Sequence, residues 1–115
     1  MVAHPVRGGI YWARFDPVEG AEIGKTRPAL VVQNDVGNRH SSTVIVAAIS
    51  SRYPDCTYPF LVSVPSGVLP RPSAINCAHL RTFDKRRLGT RCLGVLDEAA
   101  MRRVDEALKA SLGLG

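Results

Sequence analysis

The sequence has little cysteine, no long apolar run and no grouped metal ligands, and each lack excludes a class of protein. Its three cysteines, Cys56, Cys77 and Cys92, are odd in number and form no C-x-x-C pair. That argues against a disulfide framework or a zinc site and predicts reduced thiols. No run reaches the roughly 18 apolar residues of a membrane span, and residues 1–7 lack the apolar core of a signal peptide. We therefore expect a cytoplasmic protein.

The histidines also argue against a metal centre, because positions 4, 40 and 79 lack the spacing of a metal site. Neither a metal nor another cofactor is predicted. The 115 residues are 45% apolar and 22% charged, an ordinary globular composition, and they predict one domain spanning 1–115. Fifteen Lys and Arg against ten Asp and Glu give a net charge of +5, which favours a polyanionic partner.

The pattern of apolar residues predicts a mainly β fold (α+β) with about six short strands and one C-terminal helix. We expect strands over residues 10–15, 29–33, 43–49, 60–64, 73–83 (interrupted, or two pieces) and 91–96, with a loop at 16–25 and turns at 34–42. The helix is expected to follow an N-cap at Asp97, to bury Met101, Val104, Leu108 and Leu112, and to end at Gly113. Such strands suggest a strongly bent sheet or small barrel capped by the helix.

A basic segment leads directly into the second predicted strand. It reads Lys25-Thr26-Arg27-Pro28-Ala29-Leu30-Val31-Val32. Pro28 disfavours helical backbone at Arg27, so this guanidinium should sit extended at the strand entrance, where it could bind a phosphate. The structural alternative is a surface ion pair with Glu22 or Asp16.

A second basic segment follows the fifth predicted strand. It contains Arg81, Lys85, Arg86, Arg87 and Arg91 against one acid, Asp84. Such a run is usually a solvated face, but beside a groove it would neutralise phosphates. Some of these side chains, Arg81 especially, could instead be held within the structure.

Taken in order, these segments resemble the MazF/PemK toxins, the endoribonuclease components of type II toxin–antitoxin systems. The resemblance rests on the motifs Ile10–Ala13, Gly20–Glu22, Lys25–Val32, Val44–Ser50 and Leu80–Leu88. It implies an SH3-like barrel, a homodimer, and metal-independent cleavage of single-stranded RNA. It also implies a MazE-like antitoxin whose acidic disordered tail covers the basic groove.

In that family an Arg at the strand entrance and a hydroxyl residue ending the third strand form the catalytic pair. These positions fall on Arg27 and Ser50. Ser50 replaces the usual Thr, and Ala78 and His79 replace an acidic residue and a Gln, where the acid is proposed as the general base in some members. His79 is therefore a candidate acid or base.

Each of these roles has a structural alternative. Ser50 could simply cap a backbone amide, and His79 could make a structural hydrogen bond or read a base. Tyr11, Trp12 and Phe15 could stack bases, although Trp12 suits a core better. The residues expected to contact RNA are Glu22, Lys25, Thr26, Gln33, Asn34, Asn38, Ser51, Arg52, Arg81 and Arg86, with Tyr53 and Tyr58 as exposed aromatic candidates.

Two other functions stay open from the sequence. A CcdB-like protein of related fold would inhibit a macromolecule without cutting RNA. CcdB-like proteins, however, lack the Arg-Pro strand motif that this chain has. A catalytically weakened relative would only bind its partners, and Ala78 makes this conceivable.

Overall fold

A computed structural model describes residues 4–15, 25–52 and 57–115. Its strands are β1 (Gly9–Arg14), β2 (Thr26–Val31), β3 (Thr43–Ser50), β4 (Leu61–Ser63), β5 (Ala74–Asp84) and β6 (Leu88–Val95), and its helices are α1 (Asp35–His40) and α2 (Glu98–Leu112). A single 3₁₀ turn, Lys85–Arg87, joins β5 to β6. The expected six strands and C-terminal helix are confirmed, with strand ends that differ by up to three residues.

All six strands form one antiparallel sheet in the order β4-β5-β3-β2-β1-β6. Within the described residues β4 and β6 are its two edges and do not pair with each other. Strand β2 begins earlier than expected, at Thr26, because Pro28 pairs with Trp12 of β1. The ladder to β3 starts only at Ala29, so the missing N–H of Pro28 interrupts no bond there.

The two faces of the sheet bury different clusters of side chains. One cluster, the helix-side cluster, packs residues such as Ile10, Leu30 and Ile49 against Ala100 and Val104 of α2. The other, the strand-side cluster, includes no helix residue among those described; its members are Tyr11, Ala13, Phe15, Ala29, Val31, Val44, Val46, Ala48 and Phe83. Alternation along β2 and β3 supplies both clusters, so these central strands are packed on both sides.

Helix α2 has the expected caps. The Asp97 carboxylate accepts the N–H of Ala100 at 2.8 Å, and Gly113 ends the helix with a left-handed φ of 70°. The buried stripe is Ala100, Val104 and Ala107, with Leu112 exposed, so the expected stripe is wrong at its last position. Among the described residues no helix is long and apolar enough to cross a membrane.

Helix α1 occupies the segment expected to be turns. Asn34 caps it by accepting the N–H of Gly37 at 2.8 Å. The backbone N–H of Arg7 donates to Asp35 at 2.9 Å, and its guanidinium reaches the carbonyl of Val32 and the carboxylate of Asp105 on α2. Arg7 thereby joins the chain before β1, the end of β2 and both helices.

Candidate active site

Arg27 and Ser50 lie at the same end of the sheet on neighbouring strands. Ala29 pairs with Ala48, and continuing that register by two residues along each strand brings Arg27 opposite Ser50. Both then lie on the face of the strand-side cluster, since alternate residues of a strand share a face. Directly opposed residues have Cβ atoms about 5 Å apart. Both side chains are half-buried, so the two expected catalytic groups can contact one phosphate.

The Ser50 hydroxyl has a partner in the backbone. Its Oγ accepts the N–H of Arg52 at 3.1 Å, which is the capping bond anticipated as its structural alternative. That bond uses one lone pair of the oxygen and leaves the O–H as a donor. The contact therefore orients the hydroxyl without consuming its ability to bind an anion. Ser51 and Arg52 are themselves exposed beyond the end of β3.

The backbone entering β2 has an unusual conformation. Lys25 has a positive φ of 67°, a left-handed geometry that costs free energy for a residue with a Cβ. Its carbonyl accepts the N–H of Phe15 at 2.9 Å, so the ends of the 16–24 segment are held together. Lys25 and Thr26 are exposed beside Arg27, as their expected RNA contacts require. Glu22 lies outside the described residues.

Two guanidiniums cover an aromatic pair on the strand-side face. Phe15 and Phe83 pack edge to face with centroids 5.7 Å apart. The Arg81 guanidinium lies 5.8 Å from the Phe15 ring, and that of Arg87 lies 5.9 Å from the Phe83 ring. Arg87 also donates to the carbonyl of Arg14 at 3.1 Å. Arg87, which the expected RNA contacts omitted, is thus held on the same face as Arg81.

The neighbouring Arg86 is directed elsewhere. Its guanidinium makes two bonds to the Asp84 carboxylate, at 3.0 and 3.1 Å, and its side chain is 89% exposed. The bonds from the Arg86 guanidinium, and a further bond from the Arg86 backbone N–H, lower the pKa of the Asp84 carboxyl. The ammonium of Lys85 donates to the carbonyl of Asn38. Within this turn Arg87, not Arg86, therefore lies against the strand-side face, and the RNA contact expected of Arg86 stays a prediction.

Three other expected contacts lie at the opposite end of β2. Gln33 and Asn38 are buried, and each donates to the other residue: Gln33 to the Asn38 side chain at 3.2 Å, and Asn38 to the Gln33 carbonyl at 3.0 Å. Asn34 caps α1. Burial and these bonds indicate a structural role for Gln33 and Asn38, and the helix cap indicates one for Asn34. The RNA contacts expected of these three residues stay predictions.

His79 lies in an irregularity of β5. Ala47 pairs with Leu80 but Ala48 pairs with Asn76, so the intervening residues have no partner on β3. The Asn76 side chain stabilises this bulge by accepting the N–H of Ala78 at 3.0 Å. Bulges often occur beside active sites, where they redirect a side chain. His79 is exposed and accessible to a ligand.

The exposure of the aromatic side chains agrees with some of the expected roles and contradicts others. Tyr11 and Phe15 are buried core residues, which contradicts base stacking, whereas Trp12 is 47% exposed and contradicts its expected core position. Tyr58 is exposed and stacks on Phe60 at 5.3 Å, while Tyr53 lies outside the described residues. No three His, Cys, Asp or Glu side chains in the described part of the chain are grouped to hold a metal ion.

Comparison with known proteins identifies the family. The model for PemK-like, MazF-like toxins of type II toxin–antitoxin systems matches residues 6–112. The chain belongs to this family. Endoribonuclease EndoA of Bacillus subtilis (strain 168) is 44% identical over 110 residues, which cover 94% of each chain.

Solved structures of MazF-like proteins have the same fold. MazF from Deinococcus radiodurans superposes with a TM-score of 0.82 at 27% identity, covering 96% of this chain and 98% of that one. An endoribonuclease in complex with its cognate antitoxin, from a mycobacterial species, gives 0.79 at 28% identity, covering 96% and 97%. The resemblance seen in the sequence motifs is confirmed.

Proposed function

We propose that this MazF-like protein is a sequence-selective, metal-independent endoribonuclease that cleaves single-stranded RNA. The observation that carries the proposal is the placement of Arg27 and Ser50 on one face at one end of β2 and β3. In the reaction the 2′-hydroxyl attacks its own neighbouring phosphate, giving a 2′,3′-cyclic phosphate and a 5′-hydroxyl. Because the nucleophile is already attached to the substrate, the protein supplies charge and proton transfer.

Arg27 suits stabilisation of the charged phosphorane. A guanidinium stays protonated at any working pH, and its planar fork can bind two phosphate oxygens. Pairing of β2 with β1 at Arg27 and with β3 from Ala29 onward holds its backbone in place. A preorganised donor of this kind is typically worth about a hundred- to a thousandfold in rate.

Ser50 donates its O–H to a phosphate oxygen while its lone pair keeps the bond from Arg52. The proton acceptor for the 2′-hydroxyl is assigned to His79, because its imidazole is exposed in the bulge of β5. The leaving 5′ oxygen takes its proton from solvent. Replacing His79 by Gln should then lower the rate of cleavage by about a hundredfold or more. An unchanged rate would exclude His79 from proton transfer.

The decisive experiment is cleavage of a single-stranded RNA in excess EDTA by the protein and by Arg27→Ala. We expect cleavage by the protein alone, with a 2′,3′-cyclic phosphate end, and a loss of at least a hundredfold in the variant. A substrate with one 2′-deoxy sugar at the cleavage site should stay intact.

Folding of Arg27→Ala is checked by circular dichroism. Arg102→Ala, on the exposed side of α2, is the control variant, because it also removes one arginine. Cleavage that requires added magnesium, or full activity of Arg27→Ala, would refute the mechanism. RNA binding without cleavage would favour the binding-only relative.

We further propose a homodimer in the cytoplasm that is neutralised by a MazE-like antitoxin with an acidic disordered tail. The net charge of +5 and the arginines on the strand-side face support binding of such a tail. A relative of the same fold was solved in complex with its cognate antitoxin. The chain's own mass in solution and its inhibition by a co-encoded acidic protein test these assignments.

A further inference from the structure

A cationic cleft lies between the 65–73 loop and α2. It has a volume of about 630 Å³. Its polar lining residues are Arg71, Arg103, Ser63, Ser66 and Ser73, and none of the described lining residues carries a carboxylate. The lining therefore offers hydrogen-bond donors and positive charge, which together suit an anion.

Both guanidiniums of this cleft are available to a ligand. Arg71 and Arg103 are exposed, and within the described part of the chain neither forms an ion pair or a hydrogen bond through its side chain. The adjacent residue on α2, Arg102, differs because it pairs with Glu98 at 3.3 Å. The Ser73 hydroxyl donates to the Arg71 carbonyl at 3.0 Å. This bond holds the loop backbone at the residue from which the Arg71 side chain extends.

The cleft lies at the same end of the sheet as Arg27 and Ser50, although α2 packs on the opposite face of the sheet. Ala74 pairs with Ser50 on one side and with Ser63 on the other, so Ser63 is two strands away from Ser50. Neighbouring strands are about 4.8 Å apart, which makes this separation roughly 10 Å. Grooves that bind single strands commonly track about 4–16 nucleotides, so one RNA strand that passes over the end of the sheet can reach both places.

We propose that this cleft binds a phosphate of the same RNA strand, a few nucleotides from the one that is cleaved. The inference rests on the proposed function and extends it to the substrate outside the catalytic pair. Arg71 and Arg103 bind the phosphate from the loop and from the helix, and the hydroxyl of the exposed Ser66 donates to another of its oxygens. The cleft thereby aligns a long substrate along the end of the sheet.

The test compares Arg103→Gln with Arg102→Gln, because both remove one charge from adjacent positions of α2. Binding is measured with RNA made uncleavable by a 2′-deoxy sugar at the cleavage site. One RNA is long and extends several nucleotides to both sides; the other is limited to the cleaved dinucleotide and its nearest neighbours. Arg71→Gln is measured in the same way, and thermal unfolding confirms that each variant is folded.

We expect Arg103→Gln and Arg71→Gln to weaken long RNA about tenfold more than they weaken short RNA. The slope of log affinity against log salt for long RNA should fall by about 0.7 for the lost phosphate contact. Arg102→Gln should change long and short RNA alike. Cleavage by the protein itself, compared with Arg27→Ala, tests the proposed function separately.

Equal effects of the two α2 substitutions on long RNA would overturn the inference, because the cleft would then contribute only general charge. It would also be overturned if Arg103→Gln left RNA binding intact but prevented inhibition by the antitoxin. The cleft would in that case belong to a protein partner.

Discussion

Replacing Ser50 by Ala separates a catalytic hydroxyl from a structural one. In the structure Ser50 Oγ accepts the N–H of Arg52, and its O–H remains a donor. Under the proposed mechanism that donor binds a phosphate oxygen whose negative charge grows in the transition state. The substitution should therefore lower the rate far more than the stability.

The magnitudes follow from these two bonds. Hydrogen bonds to charged groups are worth about 1.5–3 kcal/mol, which corresponds to roughly a 10- to 150-fold loss of rate. Arg52 is exposed, so water can replace Ser50 as the acceptor of its N–H. The free energy of unfolding should then change by no more than about 0.5 kcal/mol.

The assay is single-turnover cleavage of a short fluorescent RNA under saturating enzyme, with urea unfolding measured on the same samples at one protein concentration. Ser50→Thr keeps the hydroxyl and should retain activity within about threefold. The reasoning would be refuted if Ser50→Ala cleaved at the rate of the parent protein. It would also be refuted if the lost rate were explained by a lost fold.

Three further outcomes are expected. Arg87→Gln should slow RNA cleavage about tenfold or more while Arg86→Gln changes it less than twofold, since only Arg87 lies on the strand-side face; kcat/KM on one substrate compares them. Asp35→Asn should destabilise the fold by about 1 kcal/mol at neutral pH. Bonds from the N–H of Arg7 and from Asn38 lower the pKa of Asp35. The Asp35 carboxylate therefore stabilises the fold above its ordinary pKa, and this contribution disappears as the pH falls through the lowered value. Urea unfolding from pH 7 to pH 2 should show the stabilities of the parent protein and Asp35→Asn converging. Burial raises the pKa of Cys77 to about 11, so a thiol reagent at pH 8 should modify the exposed Cys92 and spare Cys77, as peptide mass mapping can report; modification of Cys77 in the folded protein would contradict its burial.

Much of the fold could be predicted because local signals agreed with tertiary packing. Helix α2 has an aspartate cap, a glycine stop and an apolar stripe, and each acts within a few residues. Helix α1 was missed because its six residues include Gly37 and turn-forming side chains. So short a helix is not stable on propensity alone. It is supported by the bond from Arg7, 28 residues earlier in the chain, and by the bond that Asn38 donates to the carbonyl of Gln33 just before the helix.

The candidate site was predictable where a strand sets the direction of a side chain. Pro28 indicated that Arg27 would be extended, and continuing the register of Ala29 and Ala48 along both strands brings it opposite Ser50. In the 3₁₀ turn the direction of a side chain depends on tertiary contacts. The sequence therefore could not show that Arg87, and not Arg86, would lie on the strand-side face. Similarly, only the folded chain shows that Gln33 and Asn38 satisfy each other inside the protein.

The central position of β2 and β3 has a consequence for how activity is lost. Both strands are packed on two faces and paired along two edges, so their amide hydrogens should exchange with solvent only when the whole molecule opens. The short edge strand β4 and the end of α2 can fray without releasing them. Arg27 and Ser50 are attached to this part of the sheet, and mild heating should therefore leave the proposed catalytic pair assembled until the fold itself melts.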